Sequence, residues 1–292
     1  MKLRTPSRWF WPETEYGDRP ESLIPLSGYC ASYSVSGSGL PMVLLPGLAG
    51  GISLLQPLVR HLGRSFRVHC LDWRGERDPF DIRRPFGVKE LTGDVLEFCD
   101  ALRLESPLLM GVSFGAAVAL ETAIRQPGRF CGLVVQGAEV RFEPTLVRRV
   151  AGEILNGYPL PTDNPFVNQF FHLLFGGRPK DQALVRFVVE TCWQTDQAVM
   201  SRRFNIAARL DLSPRLARIR TPTLIIRGGR DLFVTAEGTA ELVRRIPRAE
   251  LVEIPSAGHL AFLTHAREVA ASALGLARDL GLGEGASVSQ DI

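Results

Sequence analysis

Long apolar runs are missing from this chain. Nowhere in its 292 residues is there a stretch of roughly 18 apolar residues, the minimum for a helix that crosses a membrane. Residues 1–20 carry basic side chains but no apolar segment of the kind a secretion signal needs. Cysteine is scarce and odd in number, with five residues at Cys30, Cys70, Cys99, Cys131 and Cys192. No two have metal-ligand spacing, which argues against a disulfide framework and a zinc site. An excess of one charge is also lacking: 34 basic against 31 acidic residues leave a net charge of +3. That gives no reason to expect nucleic acid or an acidic membrane as partner. The expectation is a cytoplasmic protein without a membrane span, with a small molecule as its partner.

What is present is a regular alternation. Short apolar runs read as buried strands: Tyr29 to Ser36, Pro41 to Pro46, Phe66 to Leu71, Pro107 to Val112, Cys131 to Gln136, Thr223 to Arg227 and Leu251 to Ile254. Between them lie helical patterns at Ile52 to Leu62, Val88 to Leu102, Phe114 to Arg125 and Ala236 to Ile246, with a last one from Leu260 to about Ala277. This order predicts an α/β fold with a mostly parallel central sheet flanked by helices. From about Glu139 to Ile219 no buried strand is found. Four helical patterns fill the gap, at Leu146 to Leu155, Phe166 to Leu174, Leu184 to Trp193 and Ala198 to Leu210. The resulting division is an N-terminal extension (1–28), a core (29–138 and 220–280), a helical insertion (139–219) and a polar, disordered tail (281–292).

The strongest local signal is Gly111-Val-Ser113-Phe-Gly115. G-x-S-x-G is a modest pattern in a chain with 28 glycines, but here a strand runs straight into it and a helix straight out. A sharp strand-to-helix turn projects the serine hydroxyl above the sheet, and flanking glycines let neighbouring backbone approach where a Cβ would clash. The helix N-terminus there favours developing negative charge.

A serine hydroxyl needs a base. His61, His69, His172 and His265 fall in predicted helices or strands, where a packing or surface role suffices. His259 instead follows a strand in Pro255-Ser-Ala-Gly-His259, and Asp231 follows another in Gly228-Gly-Arg-Asp231. Loops after strand C-termini of a parallel sheet share one edge. A carboxylate there can fix the imidazole tautomer. Glu139, after the strand that precedes the insertion, is the alternative acid.

With these residues in place the chain resembles the α/β-hydrolase superfamily. Leu44-Leu-Pro46-Gly-Leu-Ala-Gly50 looks like its oxyanion loop, and Asp72-Trp-Arg-Gly75 resembles its D-x-R-G turn. Thr221 to Asp231 and Ala257-Gly-His259 resemble its acid and histidine segments. The resemblance spans roughly Tyr29 to Ala277 and implies the α/β-hydrolase fold, with residues 139–219 as a helical cap. It implies Ser113, Asp231 and His259 as catalytic triad, and the backbone N–H groups of Leu48 and Phe114 as oxyanion donors. One departure is clear: many relatives carry His-Gly where this chain has Pro46-Gly47.

These residues suit acyl transfer to water through an acyl-enzyme, with no metal or organic cofactor. The expected substrate is a carboxylic ester or thioester of a small, partly apolar molecule. Phe170, Phe171 and Trp193 are candidate substrate contacts among the aromatics of the insertion, which include Phe166, Phe175 and Phe204. The alternatives are a serine C–C bond hydrolase, a cofactor-free perhydrolase or haloperoxidase, and a ligand-binding protein that keeps the fold without catalysis.

Overall fold

The computed structural model describes residues 22–76, 85–143, 145–157, 165–177, 179 and 181–282, with backbone only at 165–168 and 170. Most of the expected N-terminal extension and tail, and the side chains of Phe166 and Phe170, therefore lie outside the described residues.

The chain forms β1 (Ser22–Leu26), β2 (Tyr29–Ser36), β3 (Leu40–Leu45), α1 (Gly51–Leu62), β4 (Phe66–Leu71), α2 (Val88–Ala101), β5 (Leu108–Val112), α3 (Phe114–Arg125) and β6 (Gly132–Gln136). Four helices follow: α4 (Leu146–Asn156), α5 (Pro165–Leu174), α6 (Gln182–Cys192) and α7 (Gln197–Arg209). The chain then returns to the sheet with β7 (Thr223–Gly228), α8 (Ala236–Arg245), β8 (Ala249–Ile254), α9 (Ala261–Thr264) and α10 (Ala266–Asp279).

The sheet has eight strands in the order β1-β2-β4-β3-β5-β6-β7-β8. Its first two pairings, β1 with β2 and β2 with β4, are antiparallel; the rest are parallel. The inner strands are mostly apolar, β3 and β5 throughout, because both faces are covered. Successive side chains point to opposite faces. Met42, Leu44, Leu108 and Met110 accordingly pack with α1 and α10 in one core. Val43, Leu45 and Leu109 pack with α2 and α3 in the other.

Two expectations are corrected. β1 lies inside the span read as an N-terminal extension. Of its residues only Ile24 and Leu26 are buried, too few for a clear alternation, and Pro25 is tolerated because this strand is at the sheet edge. The single last helix is two, because His265 leaves helical geometry (φ −133°, ψ 39°). Its ring is held by the hydroxyls of Ser256 and Thr264.

The helices α4 to α7 enter and leave the sheet side by side. Leu212 N–H donates to Val140 O at 3.0 Å, and Arg141 and Asp211 form an antiparallel bridge. Polar side chains start three of them: Thr145 accepts from Arg148 N, Asp181 from Ala183 N and Leu184 N, and Asp196 from Ala198 N. Such caps satisfy the free N–H groups of a first turn. Among the described residues, no helix is long and apolar enough to cross a membrane.

Candidate active site

Five consecutive parallel strands, β3, β5, β6, β7 and β8, end along one edge, and the segments that follow them build the site. Ser113 follows β5 with φ 52° and ψ −116°. A non-glycine residue with positive φ is uncommon and costs on the order of 1–3 kcal/mol. The surrounding packing holds it there. A Cβ on Gly111 would lie 2.3 Å from Gly115 O, and one on Gly115 would lie 2.5 Å from both Leu45 O and Pro46 O. These obstacles are backbone atoms and cannot swing aside. Gly115→Ala is therefore expected to lower stability by about 3 kcal/mol or more, read as a fall in the urea midpoint. An unchanged midpoint would show that the turn has slack.

The other side of the turn is tied to β6. Ser113 N–H donates to Gln136 O at 2.8 Å, and Gln136 Nε2 donates to His259 O at 3.1 Å. Next comes Gly137 (φ 68°), where a Cβ would lie 3.2 Å from His259 Cε1. Neither Gln136 nor Gly137 was singled out from the sequence, because their partners are brought near only by the fold.

His259 Nε2 lies 2.8 Å from Ser113 Oγ, and His259 Nδ1 lies 2.8 Å from Asp231 Oδ2. The second oxygen of Asp231 accepts from Phe233 N at 2.8 Å and Val234 N at 3.0 Å. Asp231 is thus a turn-forming residue and the histidine's partner at once. Burial alone would raise its pKa. The charge and hydrogen bond of His259, with the two backbone N–H groups, outweigh burial and hold the carboxyl below its usual value. Hydrogen bonds to the charged form act in this direction.

A sign follows for stability. A depressed folded-state pKa gives a contribution fully present above the unfolded value of about 3.9. It is lost as pH falls through the lower folded value. The stability advantage of wild type over Asp231→Asn should therefore shrink below about pH 4, seen as converging urea midpoints. Midpoints that stay parallel down to pH 2 would contradict the depressed pKa.

Glu139, the alternative acid, is engaged elsewhere. Its carboxylate pairs with Arg148 and accepts from Thr235 Oγ1 at 3.3 Å. Its pKa is raised, chiefly by burial, which Arg148 and Thr235 only partly offset. Of the other histidines, His69 is buried in β4; burial first, then Arg67, lower its pKa to about 4.

Ser113 and His259 open into a cavity of about 240 Å³. Leu48 and Phe114 lie on its wall with Gly47, and a Cβ on Gly47 would lie 3.8 Å from Ser113 Cβ. The inserted segment adds Leu155, Phe171, Trp193, Met200 and Phe204 to a mostly apolar lining. Phe171 and Trp193 meet edge to face, with centroids 6.0 Å apart. Phe175, by contrast, is buried in the core. Among the described residues no His, Cys, Asp and Glu group has a metal-holding arrangement.

A family model described as the alpha/beta hydrolase family matches residues 42–272. The pimeloyl-[acyl-carrier protein] methyl ester esterase of Xanthomonas campestris pv. campestris is 28% identical over 245 residues, covering 81% of this chain and 94% of that protein. Polyketide synthase ThaQ of Burkholderia thailandensis is 28% identical over 244 residues. That match covers 78% of this chain, which spans only 11% of that protein's length. Among solved structures, the meta-cleavage product hydrolase CumD from Pseudomonas fluorescens IP01 superposes with a TM-score of 0.76 at 22% identity. It covers 88% of this chain and 97% of its own.

Proposed function

This chain belongs to the alpha/beta hydrolase family, and we propose that it is a serine hydrolase cleaving a carboxylic ester or thioester of a small, partly apolar substrate. The observation that carries the reading is the unbroken line from Ser113 Oγ through His259 to Asp231, 2.8 Å at each step, facing an apolar cavity. The methyl ester esterase among its relatives supports the ester class.

In this mechanism Ser113 Oγ attacks the carbonyl carbon while His259 Nε2 takes its proton. Asp231 stabilises the imidazolium that results. The carbonyl oxygen becomes an oxyanion, which the N–H groups of Leu48 and Phe114 receive. Such donors each contribute on the order of 3–4 kcal/mol to the transition state. The C–O or C–S bond breaks as His259 returns the proton to the leaving group. Water, deprotonated by His259, then attacks the acyl-enzyme and releases the acid and free Ser113. No step calls for a cofactor. The helices α4 to α7 act as the cap over this chemistry, and five cysteines with no disulfide among the described residues suit a reducing cytoplasm.

The test is a panel of p-nitrophenyl esters of graded acyl length set beside a meta-cleavage diketone. Ester turnover that rises with acyl length until the cavity is full supports the proposal. Preference for the diketone would move the chain to the C–C bond hydrolases. Inactivity on the whole panel would favour a binding role. In the same panel Trp193→Ala should shift the optimum to longer or bulkier acyl groups; an unmoved profile would take Trp193 out of the substrate wall.

A further inference from the structure

The segment 46–52, which carries the Leu48 N–H, is held from outside at alternate residues. Two of the holds come from the loop that follows β4. Trp73 Nε1 donates to Pro46 O at 3.0 Å, and Asp72 Oδ1 accepts from Ile52 N at 2.7 Å. The two holds between them come from the inserted helices. Arg203 on α7 donates to Leu48 O at 2.9 Å. Thr195, just before α7, accepts from Gly50 N at 2.9 Å.

Both residues meet on one carboxylate. Arg203 pairs with Glu76 Oε2 at 2.5 Å and also donates to Arg74 O at 2.9 Å. Thr195 Oγ1 donates to Glu76 Oε1 at 2.6 Å. Arg203 is fully buried and Thr195 nearly so. Stability alone is a weak reason for such a group, since burying an ion pair carries a desolvation cost that its attraction often fails to recover. Its position supplies a better reason. Gly50 and Gly51 have φ of 80° and 46°, and consecutive glycines leave a loop many conformations of similar energy. An oxyanion donor works only if it is aimed before charge develops.

We propose that Arg203, Thr195 and Glu76 form a clamp of positioning residues through which the inserted helices fix the loop on either side of the Leu48 N–H, keeping that donor aimed for an oxyanion. The proposal rests on the serine-hydrolase reading. It makes the helical insertion part of the transition-state machinery as well as a wall of the pocket.

The test compares two inhibitors of equal chain length on the full-length protein. An alkyl trifluoromethyl ketone forms an oxyanion on Ser113; the matching alkyl alcohol fills the cavity without one. In Arg203→Met the ketone should bind at least about tenfold more weakly, while alcohol affinity stays within about twofold and kcat falls with KM little changed. Thr195→Val, which keeps the shape and removes both hydrogen bonds, should show the same pattern in smaller measure and decides the matter if Arg203→Met does not fold. Equal losses for both ligands, or no loss for the ketone, overturn the clamp. If the wild-type protein binds the ketone no better than the alcohol, the failure belongs to the serine-hydrolase reading instead.

Discussion

Ser113→Ala is expected to lower kcat for ester hydrolysis by about 10⁶-fold, with the thermal midpoint essentially unchanged. Loss of a triad nucleophile elsewhere has an effect of this order, because base and acid have nothing left to act on. The fold should tolerate the change. The φ of 52° at this position is enforced by the backbone around Gly111 and Gly115, and alanine keeps the Cβ that this backbone already accommodates. The hydroxyl is lost from a half-buried position facing the cavity. Kinetics with a short p-nitrophenyl ester, beside a thermal melt, reads both quantities. His259→Ala should be comparably severe, since the same proton then has no acceptor. Residual activity within about tenfold of wild type in Ser113→Ala would mean that another group performs the attack.

Asp231→Asn should lower kcat by about 10⁴-fold, or about 5.5 kcal/mol in activation free energy. The carboxylate accepts from His259 Nδ1 and stabilises the imidazolium. An asparagine that turns its amide nitrogen toward the ring forces the opposite tautomer, leaving a proton on Nε2 where Ser113 needs an acceptor. The turn itself should survive, because the remaining oxygen can still accept from Phe233 N and Val234 N. Glu139 cannot substitute while Arg148 and Thr235 hold it. Near-normal turnover in Asp231→Asn, lost on adding Glu139→Gln, would reverse the assignment.

The parts of this site that were legible in the sequence are those whose chemistry constrains the residues near them in the chain. The turn at Ser113 demands glycines two residues away on each side. Asp231 and His259 each follow an apolar strand, so their shared edge follows from the parallel sheet. The sequence favours Asp231 over Glu139 as the acid; that Arg148 and Thr235 hold Glu139 could not be read from it. Arg203 and Leu48 lie 155 residues apart, and the arginine acts on a backbone carbonyl that has no side-chain signature. Gln136 is hidden in the same way, as one more polar residue ending an apolar strand. The edge strand β1 was missed because it buries too little to show a period.

The most direct test of the central claim is to treat the native protein with a fluorophosphonate and map the adduct by peptide mass spectrometry. One modified residue is expected, Ser113, with labelling slowed severely in His259→Ala and abolished by prior unfolding. A native protein left unlabelled at Ser113, or labelled there as fast without His259 as with it, would contradict it.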